Sequence, residues 1–136
     1  MKYLIAAAML SGVLTAQAAK TTNIGGGCSP AKGSLMSVGK AITGKTFTVK
    51  YGFPEPVGAD AWAIMGIRDP NTAIFSCTLH AFPNVVIRIG TGGEMKIPVP
   101  NAKTFVGLVF YLQALWAAPT FKPALTDGYK VKVGSQ

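Results

Sequence analysis

From residue 46 the chain reads TFTVKYGF, with Phe47, Val49 and Tyr51 alternating against Thr48 and Lys50. A period of two is the signature of a half-buried β-strand, and Gly52-Phe53-Pro54 closes it. The same pattern recurs along the chain. A short strand is expected over 35–38, and a mostly buried one from Asp60 in DAWAIMGI, ended by the turn RDPN at 68–71. AIFSCTLH follows as a strand with Phe75, Cys77 and Leu79 on one face and Ser76, Thr78 and His80 on the other. NVVIRI then leads into the glycine turn 90–93 and EMKIPV, which reads as a hairpin. In EMKIPV, Met95, Ile97 and Val99 alternate against Glu94, Lys96 and Pro98, and the proline marks an edge strand or a bulge. FVGLVFYLQALW, 105–116, is apolar on both faces, as a central covered strand is. GYKVKVG closes the pattern with Tyr129, Val131 and Val133 inside and Lys130 and Lys132 outside.

About seven or eight short strands, broken by turn residues roughly every ten positions, predict an all-β fold: a single antiparallel β-sandwich. A small β-barrel is the alternative. The 16 glycines and 9 prolines fit a turn-rich β domain better than a helical one. No linker divides the pattern, so residues 19–136 are expected to form one domain.

The first eighteen residues stand apart. Lys2 precedes an apolar run from Tyr3 to Leu14, and Ala16-Gln17-Ala18 is a small-x-small ending. This is the layout of a secretory signal peptide, 1–18, cleaved after Ala18. The run is too short to span a bilayer, and no transmembrane segment is expected in the mature chain. A secreted location, whether extracellular, periplasmic or at the cell surface, follows. In an oxidising compartment the two cysteines, Cys28 and Cys77, are read as one disulfide, with two separate buried thiols as the alternative.

That setting decides the reading of GKAITGKT, 39–46, which fits the phosphate-loop pattern G-x-x-x-x-G-K-[ST]. A phosphate loop opens a helix whose N-terminal amides cradle phosphate. Here the strand TFTVKY follows instead, so ITGK is read as a turn between two strands.

Loss of Lys2 with the leader takes the net charge from +8 to +7. The lysines are scattered, and on strands they face outward. Such a surface suits an anionic partner, whether polysaccharide, lipid headgroups or another anionic envelope surface. Nucleic acid is not expected, since only Arg68 and Arg88 join the lysines and no stacking motif is present. Enzymatic chemistry lacks material. His80 is the sole histidine, with Ser76 and Thr78 beside it, and the carboxylates Glu55, Asp60, Asp69, Glu94 and Asp127 fall in turns or at strand ends. No catalytic residue, metal site or cofactor is expected. The aromatic residues offer more. Trp116 opens the irregular-looking segment AAPTFKPAL, so Trp116, Phe121 and Lys122 form the candidate contact patch for a sugar ring or apolar partner.

Several short motifs carry a resemblance: Gly27-Cys28, GKTFTVKY at 44–51, Cys77, IPVPN at 97–101, GLVFYLQALW at 107–116 and VKVG at 131–134. In them the chain resembles the C-terminal β-sandwich modules of secreted planctomycete and myxobacterial proteins, departing from them in its basic charge. The resemblance implies a secreted β-sandwich with a Cys28–Cys77 link, used for display, sorting or binding, and no catalytic site. The function expected is therefore non-enzymatic surface binding, of a glycan or another envelope component. The alternative is a self-assembling structural subunit, a homo-oligomer joined through the apolar face of 105–116 and the edge strand around Ile97.

Overall fold

The computed structural model describes residues 18–28, 35–52, 60–74, 76–89, 94–118 and 121–135. The expected leader, apart from Ala18, lies outside them. The described residues form eleven strands in order: β1 Lys20–Gly25, β2 Leu35–Val38, β3 Thr46–Tyr51, β4 Asp60–Gly66, β5 Thr72–Ile74 and β6 Cys77–Leu79. These are followed by β7 Val85–Arg88, β8 Glu94–Pro98, β9 Val109–Ala118, β10 Phe121–Leu125 and β11 Gly128–Lys132. The only helical element among the described residues is a 3-10 turn, Lys103–Phe105. No described helix is long and apolar enough to cross a membrane.

All strand pairs are antiparallel. A six-stranded sheet runs β1-β11-β9-β4-β7, with β10 also pairing β9, and a second sheet runs β2-β3-β8. The larger sheet keeps free edges at β1 and β7, so it is not closed into a barrel. The β5–β6 hairpin is a separate two-stranded ribbon.

Alternation assigns the layers. In β3, Phe47, Val49 and Tyr51 are buried and Thr46 and Lys50 are exposed. They pack with Ala61, Ala63, Leu112, Ala114, Trp116 and Val131 of the larger sheet, which makes the sandwich core. Residues of the opposite parity in the larger sheet, Ile64 and Leu125, are buried under Cys77 and Ala81, with Leu79 packed against them. β9 is therefore apolar on both faces because one face meets the second sheet and the other meets the hairpin. Its edges are filled as well: β4 pairs Tyr111 to Ala117, while β11 and β10 share the other side. β9 is the covered central strand that its sequence predicts.

Turn chemistry explains the boundaries. The Lys45 amide donates to the Ile42 carbonyl at 3.0 Å, and Gly44 takes φ 80°. That is a type II turn, in which the third residue needs positive φ. ITGK is thus a strand connection, and no helix follows it. At RDPN the Asp69 carboxylate accepts the Asn71 amide at 2.8 Å, and Asn71 has φ 45°. Pro98 sits on β8, an edge strand, where a missing amide costs no ladder bond.

Three expectations are corrected. AIFSCTLH is not one strand: Ile74 pairs with Cys77 and Thr72 with Leu79, so the chain reverses between Ile74 and Cys77. Ser76, at φ 69°, supplies a left-handed conformation for this reversal. NVVIRI and EMKIPV do not form a hairpin either, because β7 joins β4 and β8 joins β3, in different sheets. Lastly, β1 Lys20–Gly25 is not among the expected strands, and with it the division of AIFSCTLH into β5 and β6 and the added β10 bring the strands among the described residues to eleven.

Burial pushes the Tyr51 phenol above its ordinary value near 10. The folded state therefore holds its proton more tightly than the unfolded state. The stability this confers is complete below about pH 10 and falls as pH rises beyond it, by at most roughly 1.4 kcal/mol per pH unit. Tyr51→Phe is expected to lose less stability than the parent between about pH 10 and pH 11.5. Parallel melting-temperature curves for the two proteins would assign alkaline unfolding to other groups.

Candidate functional site

Of the predicted contact residues, Trp116 is placed clearly, and it is inside. β9 continues to Ala118 and β10, Phe121–Leu125, pairs antiparallel beside it, so the expected irregular segment is mostly strand. In register, Trp116 lies opposite Ala61 of β4 on one side and Ala124 of β10 on the other. These two small residues leave room for the indole, which is fully buried. The β9–β10 register shifts between Phe121 and Ala124, and the bulge absorbs Pro123. Phe121 and Lys122 belong to β10, but their side chains lie outside the described residues. The aromatic platform proposed from sequence has thus lost its indole to the core.

The polar residues gather on the hairpin side. Gln113, fully buried at the middle of β9, accepts the His80 amide at 2.8 Å through Oε1. Its Nε2 donates to the Thr78 carbonyl at 2.9 Å and the Thr126 carbonyl at 2.8 Å. A single amide side chain therefore fastens the end of β6 to the sheet and to the β10–β11 connection. The His80 ring meets Asp69, with Nδ1 at 3.0 and 3.1 Å from the two carboxylate oxygens. It is also wedged between glycines: a Cβ on Gly26 would sit 2.7 Å from Nε2, and one on Gly128 2.7 Å from the His80 Cβ. Nδ1 is thus paired with Asp69, and Nε2 lies close against Gly26.

The other described carboxylates are also committed. Asp60 accepts from Arg88 at 2.7 Å, Glu94 faces Lys96 at 3.4 Å, and Asp127 accepts the Gly27 amide at 3.0 Å. Among the described residues no three His, Cys, Asp or Glu side chains meet as a metal-ligating group. Cys28 and Cys77 are joined, with Cα atoms 5.2 Å apart. Glu55 lies outside the described residues.

The feature that the sequence reading missed is the β7 edge. Val85, Val86 and Ile87 are 45%, 54% and 43% exposed, and Ile67, beside them, is 70% exposed. The Asn84 side chain ties the Ile67 amide to the start of β7 at 3.0 Å. β7 pairs with β4 without a register shift, so its outer edge is straight. It carries one charge, Arg88, already held by Asp60. The other edges are protected. β1 begins with Lys20 and has a bulge between Asn23 and Gly25. β8 carries Glu94, Lys96 and Pro98. β2 shifts register between Leu35 and Ser37. Natural edge strands are usually blunted by such charges, prolines and bulges, and among the described residues β7 has only Arg88, with no proline and no register shift. Its sequence signal is four apolar residues around a single arginine in NVVIRI, but the hairpin expected with EMKIPV gives it the wrong neighbour.

No protein-family model, curated protein or solved structure matches this chain.

Proposed function

We propose that this is a non-enzymatic structural subunit of an extracellular or envelope assembly, which joins a second copy of itself through β7. The reading rests on the unprotected β7 edge. A second β7, antiparallel about a twofold axis, satisfies the outward amides and carbonyls and buries Val85, Val86 and Ile87 of both chains. Arg88 is neutralised by Asp60 within its own chain, so the pairing brings no unpaired like charges together. The excess of basic residues elsewhere opposes association through the other faces. This moves the self-assembly surface away from the expected face of 105–116 and edge around Ile97: Leu112, Ala114 and Trp116 are buried, only Phe105 and Leu108 of that segment are exposed large apolar residues, and the edge around Ile97 carries charge and proline. The disulfide and the leader motif support a secreted location.

Size-exclusion chromatography with light scattering, on oxidised protein from micromolar to near-millimolar concentration, tests the proposal. A dimer that grows with concentration is expected. Val86→Lys places two like charges near the axis and should weaken it at least about tenfold. A parent protein that stays monomeric throughout, or a Val86→Lys variant that associates as well as the parent, sinks the reading.

A further inference from the structure

At the end of the six-stranded sheet away from β7, the outward face of β1 and β11 and the start of β9 enclose a cavity of about 420 Å³. Lys20, Thr22, Gly107, Val109, Lys130 and Lys132 line it. The strand register is what brings the lysines together. Lys20 lies directly opposite Lys132, and Thr22 directly opposite Lys130. Like charges directly opposed across antiparallel strands are unfavourable. They are usually relieved by a carboxylate close by. Among the described residues, Asp60, Asp69, Glu94 and Asp127 are all occupied elsewhere by Arg88, His80, Lys50 with Lys96, and the Gly27 amide. Guarding of the β1 edge accounts for Lys20 alone, because Lys130 and Lys132 sit on an inner strand. Beside the cavity, on either side of Gly107 in the chain, Phe105 and Leu108 are 37% and 42% exposed.

We propose that this cavity is a site for the phosphate of an anionic lipid headgroup, through which the protein rests on a membrane surface. Three ammonium groups at cross-strand spacing suit an oxyanion with charge spread over several oxygens, and the Thr22 hydroxyl is a further donor. The exposed Phe105 and Leu108, which flank the lining residue Gly107 in the chain, supply apolar surface that a lipid uses and a free anion or a hydrated polysaccharide does not. Each basic residue near an anionic bilayer contributes roughly fivefold to binding. The site is independent of the β7 edge and stands whether or not the chain dimerises.

The test is co-sedimentation of the oxidised protein with vesicles of phosphatidylcholine alone and with vesicles containing phosphatidylglycerol, at low salt. Binding is expected only to the second, and it should fall as salt rises. Lys130→Gln with Lys132→Gln should weaken it about twenty-five-fold. Phe105→Ser with Leu108→Ser should weaken it several-fold. Lys50→Gln with Lys96→Gln removes the same charge from the other sheet and should leave most of the binding, with melting temperature confirming that each variant folds. Absence of binding to anionic vesicles overturns the proposal. So does an equal loss in the Lys50 and Lys96 variant, which would mean that net charge alone acts. Retention on a sulfated polysaccharide without vesicle binding makes the ligand a glycan. Full displacement by millimolar inorganic phosphate, with no effect of the Phe105 and Leu108 changes, makes it a free anion.

Discussion

Opening the Cys28–Cys77 bridge, by reduction or by replacing both cysteines with alanine, is expected to cost about 4 kcal/mol of stability. The bridge closes a loop with a sequence separation of 49, and the chain-entropy model gives that value for such a loop. For a domain of this size the melting temperature should fall by roughly 15 °C. The location of the bridge makes a large effect plausible on structural grounds too. β5 and β6 are three residues each, and a lone two-stranded ribbon that short is not stable in water. It is held down by the disulfide, the Gln113 hydrogen bonds, the Thr78 amide on the Gly26 carbonyl at 2.8 Å, and packing of Cys77 and Ala81 on Ile64 and Leu125. Cys28 is anchored in turn by its amide to the Leu125 carbonyl at 3.0 Å, while Cys77 Sγ accepts the Leu125 amide at 3.3 Å. Removing the bridge should therefore loosen the hairpin first. Denaturant unfolding measures the global loss, and hydrogen exchange at the His80 and Thr78 amides measures the local one. Oxidised and reduced proteins within about 1 kcal/mol of each other would show that Gln113 and packing suffice, against the entropic account.

What the sequence disclosed follows from how far each signal reaches along the chain. Alternation in TFTVKY, in EMKIPV and in GYKVKV placed Phe47, Met95 and Val131 inside because period two is a local property of one strand. The apolar run in β9 marked a covered central strand for the same reason. Partner choice is not local. NVVIRI and EMKIPV, joined by a glycine turn, look like a hairpin, yet β4 and β3 compete for them and win across long separations. Missing that hid the exposed β7 edge, which stands out only once its true neighbour is known. Ser76 at positive φ is a related case: serine carries little signal for that conformation, so the reversal within AIFSCTLH was invisible. The candidate site suffered most. Two prolines made AAPTFKPAL look irregular, but the second is absorbed by a bulge, and the hairpin that results covers Trp116.

Trp116→Ala is expected to lose about 3–5 kcal/mol, the range for removing a large buried aromatic side chain. On the sequence reading the same substitution would have tested ligand binding, and any loss of retention on a polysaccharide would have been scored as a lost contact. With the indole fully buried between Ala61 and Ala124, loss of binding would instead report loss of the fold. The two explanations separate when stability is measured beside binding: a variant as stable as the parent would return Trp116 to the surface. A second substitution sharpens the argument. Ala124→Leu in the parent adds volume beside a well-packed indole and should destabilise by about 1–3 kcal/mol. In the Trp116→Ala background the same leucine enters the space the indole vacated, and it should restore stability instead of reducing it. A reversal of sign within one double-mutant cycle requires that the two side chains share a packing volume. Additive effects would mean that they do not touch, and would contradict the register that places β10 over Trp116.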